Sequence, residues 1–119
     1  MQKDDLVYVG HMLETARAIV VKTSGISRWR FDDDENLRLA VVHLIQTVGE
    51  SARRVSPGFQ QTHPEIPWSK IIAMRHKVVH DYLEIDYEIV WRAATKSMPP
   101  LIVELEKLLP DDIPRKENQ

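Results

Sequence analysis

The sequence contains no cysteine, which excludes disulfides, thiolate metal sites and cysteine nucleophiles together. It has no apolar run near the roughly 20 residues that a membrane helix requires. Its first five residues, Met1-Gln2-Lys3-Asp4-Asp5, carry acids where a secretory signal needs a basic stretch and then an apolar one. These absences lead to the expectation of a soluble, cytoplasmic protein with no membrane partner. It also lacks a large net charge: the formal value is −2, which argues against binding nucleic acid through bulk electrostatics. No internal repeat, no low-complexity stretch and no convincing strand alternation is present.

What the chain does have is an ordinary globular composition, 43% hydrophobic and 29% charged over 119 residues, the length of one domain. A domain of this size buries only about two-thirds of its unfolded surface, so a second copy or a partner is a natural way to cover the remainder. The charge is unevenly placed. Residues 51–80 set Arg53, Arg54, Lys70, Arg75 and Lys77 against Glu65 alone, a local +4. Residues 31–50 set Asp32, Asp33, Asp34, Glu35 and Glu50 against Arg38, a local −4. An RNA ligand would therefore have to be held by a local basic site.

Hydrophobic periodicity predicts helices throughout. Leu6, Val9, Leu13, Ala16 and Val20 form one stripe from about Asp4 to Lys22, with Asp4 or Asp5 as cap and Thr23-Ser24-Gly25 as stop. Residues 26–31 read as a short connection. Asp32-Asp33-Asp34-Glu35 then looks like a helix start, where carboxylates cap free N–H groups. Leu37, Val41, Leu44, Val48, Ala52 and Val55 follow at steps of four and three, nearly a coiled-coil seam, ended by Ser56-Pro57-Gly58. That seam suits packing within the chain, with a dimer interface as the alternative. Residues 59–67 read as a loop, residues 68–79 as a shorter helix and Asp86 as the cap of a helix over 87–97. Pro99-Pro100 must kink the chain or begin a new helix, whose stripe is Leu101, Leu105 and Leu108. The expected architecture is all-α: an up-down bundle of four to five helices over residues 1–110, with a polar tail over 111–119.

The segment with chemical potential is Met74-Arg75-His76-Lys77-Val78-Val79-His80-Asp81-Tyr82. His63, His76 and His80 fall within eighteen residues of one another, beside most of the clustered basic charge. Arg75 and His80 are five apart, which on a continuous helix separates them by about 140°. They meet only if the helix ends near Val79, and Tyr82 then reaches the same spot. A guanidinium binds phosphate oxygens bidentately, and histidine moves protons near neutral pH. Each residue also has a plainer reading. Arg75 suits a carboxylate partner, His80 an interior histidine and Tyr82 a core tyrosine with a wet hydroxyl. His76 and His80 have metal-ligand spacing, but Lys77 stands where a zinc protease helix carries glutamate and no third ligand is evident, so no metal is expected.

Arg75, His80 and Tyr82 make up an Arg-(four residues)-His-x-Tyr pattern that resembles the motif of the HepT-like toxins, members of the HEPN superfamily of helical nucleases. The similarity extends along the chain. Val48-Gly49-Glu50-Ser51-Ala52-Arg53-Arg54 is similar to that family's "IGEAAKRL" stretch, Pro64-Glu65-Ile66-Pro67-Trp68 precedes the third long helix as in the family, and Ile85-Asp86-Tyr87-Glu88-Ile89-Val90-Trp91 opens the fourth. One departure is His76, where many members carry asparagine.

The resemblance implies a HEPN-like fold and a metal-independent, cofactor-free RNA endonuclease that acts as the toxin of a type VII-like toxin–antitoxin pair. It usually works as a homodimer or higher homo-oligomer with both motifs facing one cleft. By the same resemblance, Arg75 and His80 are the catalytic pair, Arg75 holding the scissile phosphate and His80 serving as general acid/base, while His76 and Tyr82 line the site. The resemblance further implies that Tyr82 is the residue that a minimal nucleotidyltransferase (MntA-type) antitoxin would modify to O-AMP-tyrosine. The runner-up is a non-catalytic helical binding module that holds a nucleotidyltransferase or a nucleotide through the same basic cleft. A purely structural bundle is the third reading.

Overall fold

The computed structural model describes residues 3–78 and 84–110. Four long helical rods form the bundle. The first, α1 (Lys3–Thr23), begins with acids at Asp4 and Asp5 and ends with Lys22, both of which suit the helix macrodipole. Gly25 follows with a φ of 74°, a left-handed conformation that costs glycine little and halts the helix. Val9, Leu13 and Ala16 of the expected stripe are buried, joined by Met12 and Ile19, whereas Leu6 and Val20 are partly covered.

The stretch read as a connection contains α2 (Arg28–Asp33), capped by Ser27, whose hydroxyl accepts from the Arg30 N–H. Its Phe31 is fully buried, with its ring centroid 5.0 Å from that of Trp91. Asp34 caps α3 (Glu35–Arg54) by accepting from the Leu37 N–H at 3.0 Å. The loop expected over 59–67 is likewise replaced in part by α4 (Pro57–Thr62). Ser56 caps it, and Pro57 occupies a first-turn position where its missing N–H costs nothing. Gln60 of α4 donates to the Val55 and Ala52 carbonyls at 3.0 and 3.3 Å, satisfying acceptors freed at the end of α3.

Asp5 departs from expectation. It lies inside the first turn of α1 and is 4% exposed, accepting from both the backbone N–H and the hydroxyl of Ser56 at 2.8 Å. A residue read as a local cap thus ties α1 to the start of α4.

The third rod is α5 (Trp68–Val78), whose Trp68 indole donates to the His63 carbonyl at 2.9 Å. The fourth begins at the Asp86 cap, which accepts from the Glu88 and Ile89 N–H groups. It runs through α6 (Tyr87–Arg92), a π-helical turn over Ala93–Ser97 and α7 (Met98–Leu108). The wider turn lies immediately before Pro99 and Pro100, whose rings would clash with carbonyls one α-turn back. The prolines thus widen a continuous rod rather than break it.

The rods pack side by side. α3 lies between α1 and α5, and α1 also packs on α7. Val41, Val48, Ala52 and Val55 of the α3 seam are buried within the chain itself, while Leu37 and Leu44 are partly covered. Arg28 pairs with Asp32 and Glu88, linking α2 to α6, and Arg17 pairs with Glu106, linking α1 to α7. The result is an all-α bundle with no strand among the described residues. Two short helices occupy stretches expected to be irregular.

Candidate functional site: an arginine cluster where α3 meets α5

Of the four site residues read from the sequence, Arg75 and His76 are described. His80 and Tyr82 lie outside the described residues, as do the expected helix end at Val79 and the tail over 111–119. The described residues on either side of 79–83 are tied together, because the Asp86 N–H donates to the Val78 carbonyl at 2.9 Å. Arg75, on the last turn of α5, is therefore within a helical turn of this junction. His76 and Lys77 beside it are exposed. All three basic residues suit the negative end of the α5 macrodipole.

Arg75 has a defined setting. Its Nη1 donates to Glu50 Oε1 at 2.7 Å, so the carboxylate partner considered for it exists, one helix away. The same carboxylate accepts two bonds from Arg53, at 2.7 and 3.2 Å, and one from Arg54 Nε at 3.0 Å. Four bonds saturate the two carboxylate oxygens. Arginine donation and the surrounding positive charge hold the Glu50 carboxyl down at about 2, so it is ionised throughout the neutral range.

Gly49 makes this geometry possible. A β-carbon at position 49 would lie 2.6 Å from Arg75 Cγ, 3.0 Å from Cδ and 3.2 Å from the Ile71 carbonyl oxygen. Those separations are well inside the roughly 3.5–4.0 Å of ordinary carbon contact. The missing side chain lets the arginine stem cross α3 and reach Glu50. Residue chemistry alone gives neither Gly49 nor Glu50 a role. The available signal was their place in the Val48–Arg54 stretch that carries the family resemblance.

The cluster continues past Glu50. The Arg54 guanidinium carbon is 6.0 Å from the centre of the Tyr8 ring, and Tyr8 meets the His11 ring edge-on at 6.2 Å. Arg53 and Arg54 remain about half exposed, at 54% and 53% of their side-chain surface. His63, by contrast, serves the α4–α5 connection, its ring tilted against that of Phe59 with centroids 4.4 Å apart and its Nδ1 3.3 Å from the Glu65 carboxylate. Among the described residues no three histidines, aspartates or glutamates converge as metal ligands would. No helix there is long and apolar enough to cross a membrane.

Comparison with known proteins gives a consistent picture. The sequence profile of a family described as ribonuclease HepT-like matches residues 12–108. A Caldanaerobacter subterraneus chain named as a candidate RNase is 29% identical over 102 residues, covering 86% of this chain and 91% of that one. A Methanocaldococcus jannaschii chain named as a candidate RNase is 27% identical over 117 residues, covering 98% and 97%. A Thermococcus cleftensis chain named as a probable ribonuclease HepT is 29% identical over 108 residues, covering 91% and 98%. No solved structure matches.

Proposed function

The chain belongs to the ribonuclease HepT-like family, and on that premise we propose that it is a metal-independent RNA endonuclease acting as the toxin of a toxin–antitoxin pair. The observation that carries the reading is the setting of Arg75, a guanidinium fixed by Glu50 and Gly49 at the end of α5. It lies in the only part of the motif that the described residues include. One nitrogen is engaged by the carboxylate, and a guanidinium has five N–H donors in a planar fork suited to phosphate oxygens.

In the proposed reaction an RNA 2′-hydroxyl attacks the adjacent phosphorus. The new O2′–P bond forms as the P–O5′ bond breaks, leaving a 2′,3′-cyclic phosphate and a 5′-hydroxyl. The proton lost from O2′ and the proton gained by O5′ are moved by His80, while Arg75 neutralises charge on the non-bridging oxygens. Tyr82 is the proposed control point. Attack of its hydroxyl on the α-phosphorus of ATP, catalysed by a minimal nucleotidyltransferase antitoxin and releasing pyrophosphate and the phenolic proton, adds a bulky phosphodiester that competes with RNA for Arg75. The reading places the catalytic domain in residues 1–110, the tail in 111–119 and the protein in the cytoplasm as a homodimer.

The test is cleavage of defined RNAs by the purified chain. Wild type should cut with EDTA present. His80→Ala should lose roughly 10²–10⁴-fold in rate, the usual worth of a positioned proton carrier, with the circular dichroism unchanged. Intact RNA with wild type, or undiminished toxicity of His80→Ala on expression, would sink the reading. No cleavage by wild type, together with RNA or nucleotidyltransferase binding unchanged in His80→Asn, would instead favour a binding module. For the regulatory half, treatment with an MntA-type nucleotidyltransferase and ATP should add an adenylyl mass to wild type and none to Tyr82→Phe.

A further inference from the structure

The contacts around Glu50 extend beyond the residues a cleavage step requires. Three guanidiniums from two helices meet one carboxylate, leaving a local +2 in a chain whose total is −2. Glu50 accepts four bonds and can take few more, whereas three arginines carry about fifteen donors. Arg53 and Arg54 hold their heads half in solvent while fixed at the base by Glu50, so their planes are ordered in advance. Beyond Arg54 lie the partly exposed Tyr8 ring and, edge-on to it, the His11 imidazole. Fixed guanidiniums leading to an aromatic surface are the physical recipe for single-stranded nucleic acid. The cations take successive phosphates and a ring takes a base by stacking.

We propose that Arg53, Arg54 and Tyr8 form an RNA subsite beside Arg75 that binds the nucleotides flanking the cleaved bond, with a base stacked on Tyr8. The strand would run from the α3–α5 junction across the end of α3 to the first turns of α1. This subsite rests on the ribonuclease reading for its purpose, but its binding chemistry can be judged separately. Glu50 acts as the positioning residue that sets the spacing of the three arginines.

The experiment uses a labelled single-stranded RNA whose 2′-oxygens are methylated, so that it binds but cannot be cut, together with the unmodified strand as substrate. Anisotropy titrations are run at several salt concentrations. Arg53→Gln/Arg54→Gln should weaken binding at least tenfold and flatten the slope of log affinity against log salt by about 1.4, or about 0.7 per lost phosphate contact on a single strand. In cleavage the loss should fall on KM. Arg53→Lys/Arg54→Lys should recover most of the salt slope, and Tyr8→Leu should cost about tenfold in affinity with little change in that slope. Arg92→Gln removes a similarly exposed, carboxylate-paired arginine from α6 and should leave both measurements unchanged.

If wild type cleaves and the Arg53/Arg54 double variant keeps its affinity and slope, the subsite is wrong and the ribonuclease reading stands. If Arg92→Gln weakens binding as much, bulk charge is the cause and the subsite is wrong. Wild type that binds methylated RNA with the expected variant pattern but cuts nothing overturns the nuclease and keeps the subsite. Wild type that neither binds nor cuts overturns both.

Discussion

Replacing Gly49 with alanine adds a single methyl group and gives the sharpest test of the arginine setting. The new carbon would lie 2.6 Å from Arg75 Cγ and 3.2 Å from the Ile71 carbonyl oxygen. Relief to an ordinary contact of roughly 3.6 Å requires the arginine stem to move by about 1 Å. The side chain is flexible and can swing, but the Ile71 carbonyl belongs to the backbone of α5 and can yield only a few tenths of an ångström. The displacement therefore falls mainly on Arg75 and pulls its head from Glu50. A misplacement of about 1 Å in a group that orients the reacting phosphate costs on the order of 10² in rate.

Stability should move much less. Overpacking at a helix contact costs roughly 1–3 kcal/mol, and alanine recovers about 0.8–1.0 kcal/mol of helix propensity over glycine. The net destabilisation is then about 0–2 kcal/mol. Single-turnover cleavage beside urea unfolding separates the two effects. Gly10→Ala is the control, because a β-carbon at position 10 of α1 meets nothing within 4 Å. It should stabilise by a few tenths to about 1 kcal/mol with no change in rate. Wild-type cleavage in Gly49→Ala would refute the argument that Arg75 must cross α3 at this point to work. A loss of many kcal/mol would show that position 49 acts through folding instead.

Other perturbations test separate parts of the structure. Asp5→Ala leaves the Ser56 N–H without its buried acceptor and should cost about 1–3 kcal/mol, seen as a lower urea midpoint with an unchanged slope. Phe31→Ala removes a fully buried ring packed on Trp91 and should cost about 3–5 kcal/mol, while an exposed substitution such as Trp29→Ala in the same short helix should cost far less. Glu50 supplies a pH test with a definite sign. Its folded value of about 2 lies below the ordinary 4.5, so its stabilising contribution is fully present above pH 4.5 and is lost as pH falls toward 2. A carbon-13 titration of its carboxyl should show no inflection between pH 4 and 8. A midpoint near 4.5 would mean the arginines do not hold it in solution.

The long helices were legible because each carries an apolar stripe at a helical step over three or more turns. Val9-Leu13-Ala16 and Val41-Val48-Ala52-Val55 are buried as that pattern requires. The two short helices were not, for a related reason. At six residues, α2 and α4 each bury a single aromatic, Phe31 or Phe59, and one buried residue sets no period. Ser56-Pro57-Gly58 reads as a stop, yet serine followed by proline is equally a start, and both hold here. Asp5 failed as a local cap because its partner, Ser56, lies fifty-one residues away. The Arg75–Glu50 pair spans twenty-five residues and two helices. Periodicity places each residue on its own helix but says nothing about how the helices abut. Only the family resemblance singled out both stretches together.

A glutamate within a cluster meant for phosphate looks contradictory until the alternative is considered. Three guanidiniums brought this close without a counter-charge would repel one another, and half-exposed side chains such as Arg53 and Arg54 would spread into water. Glu50 offsets that repulsion with four bonds from one fixed point on α3. The same bonds orient Arg75, whose stem has room only because Gly49 lacks a side chain. The positive charge that remains is confined to one corner of an otherwise acidic molecule. A chain with net charge −2 therefore has weak general attraction for nucleic acid and a pre-ordered local one. On the proposed function, that contrast directs RNA to the end of α5, where Arg75 stands.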